Sequence, residues 1–465
     1  MFVTRKRKLR DAVLAVLSVA MITSVSLRAG AEEAEEEEQI MEEIVVTGSL
    51  RSLPGEDVQI FGFGKSLLET PRSASTISSD QMDRFNVTDI DELVAFAPGT
   101  FTQSFFGVAG SLDVRGTPGE VYFRGVRRID NPGNYPTPIG ASDRIDIVRG
   151  PASPIYGPSK IGGYLNFNPL SSRAETGDYL TDTVGSVSYE TGSWDRNVFT
   201  AEVGGPINDR MGYYLYGEVE DSESFYDNTE TKQNIFQASF DVDLSDQLVM
   251  KFGGMYHDYD GNQVAGWNRL TQELIDDGIY ITGTSTPLDT DGDGKISHQE
   301  YGATSGALSN FVFRPEFADT SSLIPEMALN NPGTTKLDES NVLVDEDDTL
   351  DNQVLTLYLD FEYSLDNGML LTNQLFFETI DNINENAYGF SQFGEVDVIE
   401  NKLVLAIDQQ YDGMTASFQI SPSIRYTDFK RGQDFINEYF DRRDLSQSNS
   451  QRDPSPVSYT HLTLP

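Results

Sequence analysis

The chain has 465 residues, enough for two or more domains, and carries 74 Asp and Glu against 33 Lys and Arg, a formal charge of −41. That excess repels nucleic acid and anionic lipid head groups, so nucleic acid is not an expected partner. There is no cysteine and there are three widely separated histidines, which excludes disulfides, thiolate metal sites and cysteine nucleophiles and argues against a three-histidine metal centre.

A basic stretch (Arg5, Lys6, Arg7, Lys8, Arg10) precedes the apolar run AVLAVLSVAMITSVSL, and Ala29-Gly30-Ala31 supplies small residues for cleavage, so residues 1–31 read as a removed signal peptide. Residues 32–65 form an acidic tail that opens with EEAEEEEQIMEE, too charged to pack. It runs into IVVTGSL, which is β-branched and extended by preference. No later stretch approaches ~20 apolar residues, which leaves a transmembrane β-barrel open.

Residues 66–175 read as a small α+β domain. SASTIS is a strand. Ser78 with Gln81 has capping-box spacing, as does Thr88 with Asp91, so short helices are expected to start near Asp80 and Asp89, the second ended by Pro98-Gly99. Glycine-rich strand pieces follow: SLDVRG, EVYFRGV, RIDIVRG and GGYLNF. From residue 183 the pattern changes to strict alternation. Phe236, Ala238, Phe240, Val242 and Leu244 share one face, opposed by Gln237, Ser239, Asp241 and Asp243. Leu355, Leu357, Leu359, Phe361 and Tyr363 likewise oppose Thr356, Tyr358, Asp360 and Glu362. Such runs match the length of a tilted membrane-crossing strand. Tight turns at 208–210, 245–247, 366–368 and 412–413 alternate with longer connections at 192–196, 222–233, 261–350 and 381–396. That order suits a transmembrane antiparallel barrel with short inner turns and long outer loops. Tyr213, Tyr214, Tyr256, Tyr259, Phe376 and Phe377 near strand ends fit interfacial girdles, ordinary packing being the alternative for each taken singly.

This order of parts resembles a TonB-dependent outer-membrane receptor. EEIVVTGS at 42–49 is similar to the TonB box, LLETPRSASTIS at 67–78 to the start of the plug domain, DELVAFAPGT at 91–100 to its second helix, and RIDIVRGPASPIYGPSKIGGYLNF at 144–167 to the segment that closes the plug. At Tyr122–Arg128 the chain departs from the family: a common acid before the glycine is replaced by Arg124. The resemblance implies an α+β plug domain followed by a transmembrane antiparallel β-barrel at 183–454. It implies a Gram-negative outer-membrane location and active import of a scarce ligand. The plug motifs are closest to those of ferric-siderophore receptors; an oligosaccharide or other nutrient is the alternative cargo, and a passive porin or adhesin-like barrel the alternative class. Glu43, Ile44, Val45, Val46, Thr47 and Gly48 would add as a strand to a TonB-type periplasmic energy-coupling protein; the alternative makes IVVTG merely the first plug strand. No nucleophile–base constellation points to an enzyme. About nine barrel strands are recognisable where the resemblance implies about 22, so the chain reads as truncated. SPVSYTHLTLP at the end resembles translated adapter read-through, and 455–465 are expected to be foreign.

Three further expectations concern sites. DTDGDGKISHQE at 289–300 has the form of a calcium loop. Asp289, Asp291, Asp293, Ser297 and Glu300 offer side-chain oxygens and Lys295 its carbonyl, with Gly294 at the sharp turn. It sits singly inside the long outer connection, after Gly283-Thr284-Ser285-Thr286-Pro287 rather than a helix, so it is expected to hold structural Ca2+ and order that loop. Arg127 and Arg128 precede the loop IDNPGNYPTP; with Phe105, Phe106 and Tyr135 they are candidates to meet an anionic ligand in the outer vestibule, plug–wall contact being the alternative. Arg144 and Arg149 are expected to pair with acids on the barrel wall.

Overall fold

The structure, a computed structural model, describes residues 70, 72–131, 135–173, 178–264, 266–267, 270–284, 330–346, 348–365, 368–386, 391–434, 444 and 446. Residues 43–48, the acidic motif at 289–300 and the tail 455–465 lie outside the described residues.

The first half folds as expected into strands and short helices. Strand β1 (Ser73–Ser78) leads into helix α1 (Ser79–Phe85). Here the Ser78 side chain accepts from the Gln81 amide and Gln81 returns the bond to Ser78, the capping box read from the sequence. The second helix is a 3₁₀ helix, Ile90–Phe96, and its box is one residue later than the spacing suggested: Asp89 caps it and Glu92 accepts from the Thr88 and Asp89 amides. Asp89 outcompetes Thr88 because its carboxylate reaches the Asp91 amide at 2.7 Å. Then come β2 (Thr100–Phe105), β3 (Val108–Val114), β4 (Thr117–Pro118), β5 (Glu120–Phe123), β6 (Val126–Arg127), β7 (Ser142–Arg149) and β8 (Gly163–Pro169). They form one sheet in the order β1-β7-β8-β5-β6 and a second in the order β2-β3-β4. Ile77, Leu93, Leu112, Ile145, Ile147 and Leu165 are buried between them as the plug core.

The second half is one antiparallel sheet of ten strands: β9 (Val184–Thr191), β10 (Asn197–Asn208), β11 (Met211–Glu223), β12 (Glu230–Asp243), β13 (Leu248–Gly261), β16 (Thr349–Ser364), β17 (Leu370–Glu385), β18 (Ser391–Tyr411), β19 (Met414–Ile420) and β20 (Ser423–Asp434). Strands β19 and β20 pair with successive parts of β18 and are interrupted at Ser421-Pro422, so they act as one stave of the wall. Short turns at 209–210, 244–247, 365–369 and 412–413 lie at one end. The strand ends joined by 192–196, 224–229, 262–348 and 386–390 lie at the other. Within 262–348, helix α2 (Gln272–Asp277) precedes the hairpin β14 (Ile279–Thr284) and β15 (Asn330–Lys336). Thr271 caps the helix and Gly278, left-handed at φ 69°, closes it.

The burial of the wall is inverted relative to a water-soluble sheet. On β12 the buried side chains are Ile235, Gln237, Ser239 and Asp241; on β16 Asn352, Thr356 and Asp360 are buried while Leu357 is 43% exposed. The polar face of each alternating run therefore meets the plug and the apolar face turns outward. Phe240 and Phe252, register partners on β12 and β13, stack on that outer face with centroids 5.0 Å apart. Three of the expected girdle aromatics are turned inward instead: Tyr214 packs with Ala141 and Leu170, Tyr259 with Val108, and Phe376 with Phe123. Their even or odd place in the strand puts them on the plug side, which strand-end position alone does not reveal.

Two outcomes are expected. Leu357→Lys replaces an exposed apolar side chain. In water that is nearly neutral, whereas on a lipid-facing wall it costs about 2–4 kcal/mol, readable by denaturant titration in lipid vesicles. Asp91 sits in the first turn of the 3₁₀ helix with Oδ1 buried and, among the described residues, without a hydrogen-bond partner. Burial, and then Asp89, raise its pKa from 3.8 to about 6. The folded plug thus holds this proton more tightly than the unfolded chain, so its stabilising contribution is complete below pH ~4 and lost as pH rises through ~6. Asp91→Asn is expected to flatten the stability profile of the plug across that window.

Candidate functional site: the plug–wall interface

The plug meets the wall mainly through the β5–β6 hairpin and the residues after it. Arg124 (φ 52°) and Gly125 (φ 74°) are both left-handed, the requirement of a two-residue hairpin turn. Arginine is a poor choice for such a turn, and its partners explain its presence. Its guanidinium bonds Asp360 at 2.5 and 3.1 Å and lies 4.5 Å from the centre of the Tyr358 ring. Gln374 and Lys402 donate to the carbonyls of Arg124 and Gly125 at 3.1 and 2.7 Å, and Lys402 stands over the Tyr156 ring. Between these polar contacts Phe123 fits against Tyr358 and Phe376.

Higher on the wall, Arg128 is bonded to Glu378 at 2.6 Å, with the side chains 4% and 0% exposed. The other Glu378 oxygen accepts from the Ile129 amide, and Thr356 donates to the carboxylate as well. Burial works against the charge on Arg128, but Glu378 and Tyr135 outweigh it and hold its pKa above the ordinary value. Tyr135 is itself buried against Val354 and Ile380, its ring 5.6 Å from His257. Arg127 turns back to Glu120 and the Pro158 carbonyl, while its own carbonyl accepts from Arg425, which also bonds Glu400. Near the short-turn end, Ser171 and Ser172 donate to Asp241, and Arg173 pairs with Asp243.

The structure thus brings together Arg128 and Tyr135, both in plug–wall contact, and turns the Arg127 side chain away from them. Phe105 is 45% exposed, whereas Phe106 packs against the cluster built on Tyr280 and Leu343. Arg144 and Arg149 do not reach the wall, contrary to expectation. Arg144 pairs with Asp146 two residues along its own strand. Arg149, opposite Ser73 in register, bonds Ser73, Ser75 and the Pro98 carbonyl. The wall partners Asp360, Glu378, Glu400 and Lys402 were missed by sequence reasoning; their one signal is a charged residue at an inward position of an alternating strand.

Residues 66–164 match the family model for the TonB-dependent Receptor Plug Domain. The chain is 23% identical over 208 residues to the ferripyoverdine receptor of Pseudomonas aeruginosa, covering 43% of this chain and 24% of that one. It is 26% identical over 172 residues to the ferrioxamine receptor of Yersinia enterocolitica, covering 35% and 23%. Among solved structures, the pyoverdine outer-membrane receptor from P. aeruginosa bound to pyoverdine superposes with a TM-score of 0.61 at 15% identity, over 82% of this chain and 50% of that one. The matches cover about a quarter of the curated relatives and half of that solved chain. The chain carries the plug domain of the TonB-dependent receptors and has their plug-and-barrel fold.

Removing one partner of the buried pair tests its weight. Glu378→Ala leaves Arg128 and the Ile129 amide uncompensated and is expected to destabilise the plug by about 3–5 kcal/mol. Glu395→Ala, whose partner Lys430 is exposed, should cost less than about 1 kcal/mol. Denaturant unfolding followed by a plug-specific probe separates the two.

Proposed function

We propose that the chain belongs to an outer-membrane receptor that imports a ferric siderophore, driven by a TonB-type protein of the periplasm. The observation that carries this reading is a folded plug seated against a wall whose inner face is polar and whose outer face is apolar. Such a plug obstructs the lumen, so solute passage requires it to move or rearrange. Its contacts combine hydrogen bonds and ion pairs, which can be exchanged with water, with apolar clusters around Phe123, Val108, Tyr135 and Leu170. The outer membrane has no ATP, so the work arrives mechanically, through Glu43, Ile44, Val45, Val46, Thr47 and Gly48 adding as a strand to the periplasmic partner. The ferripyoverdine and ferrioxamine named for the relatives favour an iron chelate over an oligosaccharide as cargo. Deleting residues 43–48 from the full-length receptor is expected to abolish uptake of radio-iron ferripyoverdine or ferrioxamine while leaving binding intact. Unchanged uptake would contradict the reading and favour a passive barrel.

The proposal extends to calcium. The donor set of Asp289, Asp291, Asp293, Lys295, Ser297 and Glu300 is all oxygen, the chemistry Ca2+ prefers. Strands β14 and β15 pair on either side of it, with Thr284 opposite Asn330, so the segment leaves and returns at one point of the outer end. An ion there would order the outer connection rather than switch the protein. Millimolar Ca2+ is expected to protect residues 285–329 from proteolysis, with affinity on the order of 10⁻⁴–10⁻³ M. Asp291→Asn combined with Asp293→Asn should remove the protection and leave coupling to the periplasmic partner intact.

A further inference from the structure

Strand β1 is the first described element of the plug and lies at the edge of its sheet, paired with β7 alone. It is exposed at Ser73 and half-buried at Ser75; only Ile77 and Ser78, at its far end, are buried. A ladder loaded at such an end opens pair by pair, because each backbone bond is weak by itself. Arg149 changes that. It stands opposite Ser73 in register, and its guanidinium donates to the Ser73 hydroxyl at 3.1 Å, the Ser75 hydroxyl at 2.8 Å and the Pro98 carbonyl at 2.5 Å. Ser73 and Ser75 are two apart and share one face of β1. Pro98 lies between the 3₁₀ helix and β2, a strand of the other sheet. One buried side chain therefore joins the start of β1, the end of β7 and the entry to the β2-β3-β4 sheet. Among the described residues Arg149 forms no ion pair; its rigid fork of N–H donors is used on two hydroxyls and a carbonyl, which a single ammonium could not span.

We propose that Arg149 is a coupling residue of the plug: it passes a pull on β1 to both sheets, so that they shift together instead of shedding the first strand. This rests on the import reading, in which the pull enters N-terminal to β1. Two other side-chain bonds hold the strand. Thr76 donates to Asp146 at 3.1 Å, and Arg72 donates to the Pro151 carbonyl at 2.8 Å. Those two join β1 to β7 and its continuation, whereas Arg149 also holds the second sheet through Pro98. Without Arg149 the start of β1 is free to peel from β7 while the rest of the plug stays seated on Arg124 and Arg128, and the pull is lost.

The test uses the full-length receptor in energised cells, with radio-iron ferripyoverdine and ferrioxamine as probes. Arg149→Ala is expected to bind as the unaltered receptor does and to import at least about tenfold more slowly. The 465 residues contain no cysteine, and Ser73 and Arg149 are register partners, within the separation a disulfide spans. Ser73→Cys with Arg149→Cys should match Arg149→Ala when reduced. Oxidation restores the tie between β1 and β7 and should raise import at least about fivefold. Import by Arg149→Ala at the unaltered rate would overturn the proposal. So would an oxidised double variant no faster than the reduced one, since a merely structural Arg149 gains nothing from the bridge. Should Arg149→Ala fail to reach the membrane, Ser73→Ala with Ser75→Ala removes two of its bonds at exposed and half-buried positions. That variant should slow import at least about threefold with binding intact, and unchanged import would overturn the proposal. Absence of energised uptake by the unaltered receptor would overturn the import reading instead. Pulling the membrane-embedded protein from an N-terminal handle then decides: β1 should detach at lower force in Arg149→Ala, and an unchanged force contradicts the coupling role.

Discussion

The structure depends on one constraint: a sheet that turns its apolar face outward must find a polar interior. Strands β12 and β16 bury Gln237, Ser239, Asp241, Asn352, Thr356 and Asp360 and expose Phe240 and Leu357 to a greater degree. In water that arrangement would waste the hydrophobic effect. Against hydrocarbon it is favourable, because the backbone groups are satisfied within the ladder and the outward side chains need no polar partner. The lumen is then a place where polar side chains must be hydrogen-bonded, and a folded domain can supply the partners.

The plug supplies them unevenly. Its own core, around Ile77, Leu93, Ile145 and Leu165, is conventional and apolar. Its seam with β16, β17, β18 and β20 is built on Arg124, Arg128 and the backbone of the β5–β6 hairpin. A fully apolar seam would resemble a domain core cut in two and would separate with difficulty. A seam of ion pairs and hydrogen bonds is specific in register and exchanges more readily once water enters, since each separated group can be solvated. That suits the movement of the plug proposed above.

Much of this organisation is legible in the sequence because it is local. Period-two alternation in 236–244 and 355–363 marks the wall strands and their two faces. Ser78 and Gln81 mark a helix start, and short turns alternating with long connections mark the two ends of the wall. What is not legible depends on pairs distant along the chain. Arg124 meets Asp360 across 236 positions and Arg128 meets Glu378 across 250, and no local pattern distinguishes these arginines from Arg144 and Arg149, which stay within the plug. Arg127 and Arg128 are adjacent and face opposite ways, as neighbours at a strand end do, so they cannot share one role. The cap at Asp89 rather than Thr88 was a contest between two good capping residues that only the backbone decides.

The central claim is that the wall is inside out, polar toward the plug and apolar toward lipid. A spin-label scan of Val354–Tyr363 in the full-length protein reconstituted in lipid tests it most directly. The account predicts that oxygen accessibility alternates, high at odd positions such as 355, 357 and 359 and low at 354, 356, 358 and 360. An absent alternation, or one with the even positions facing lipid, would contradict it.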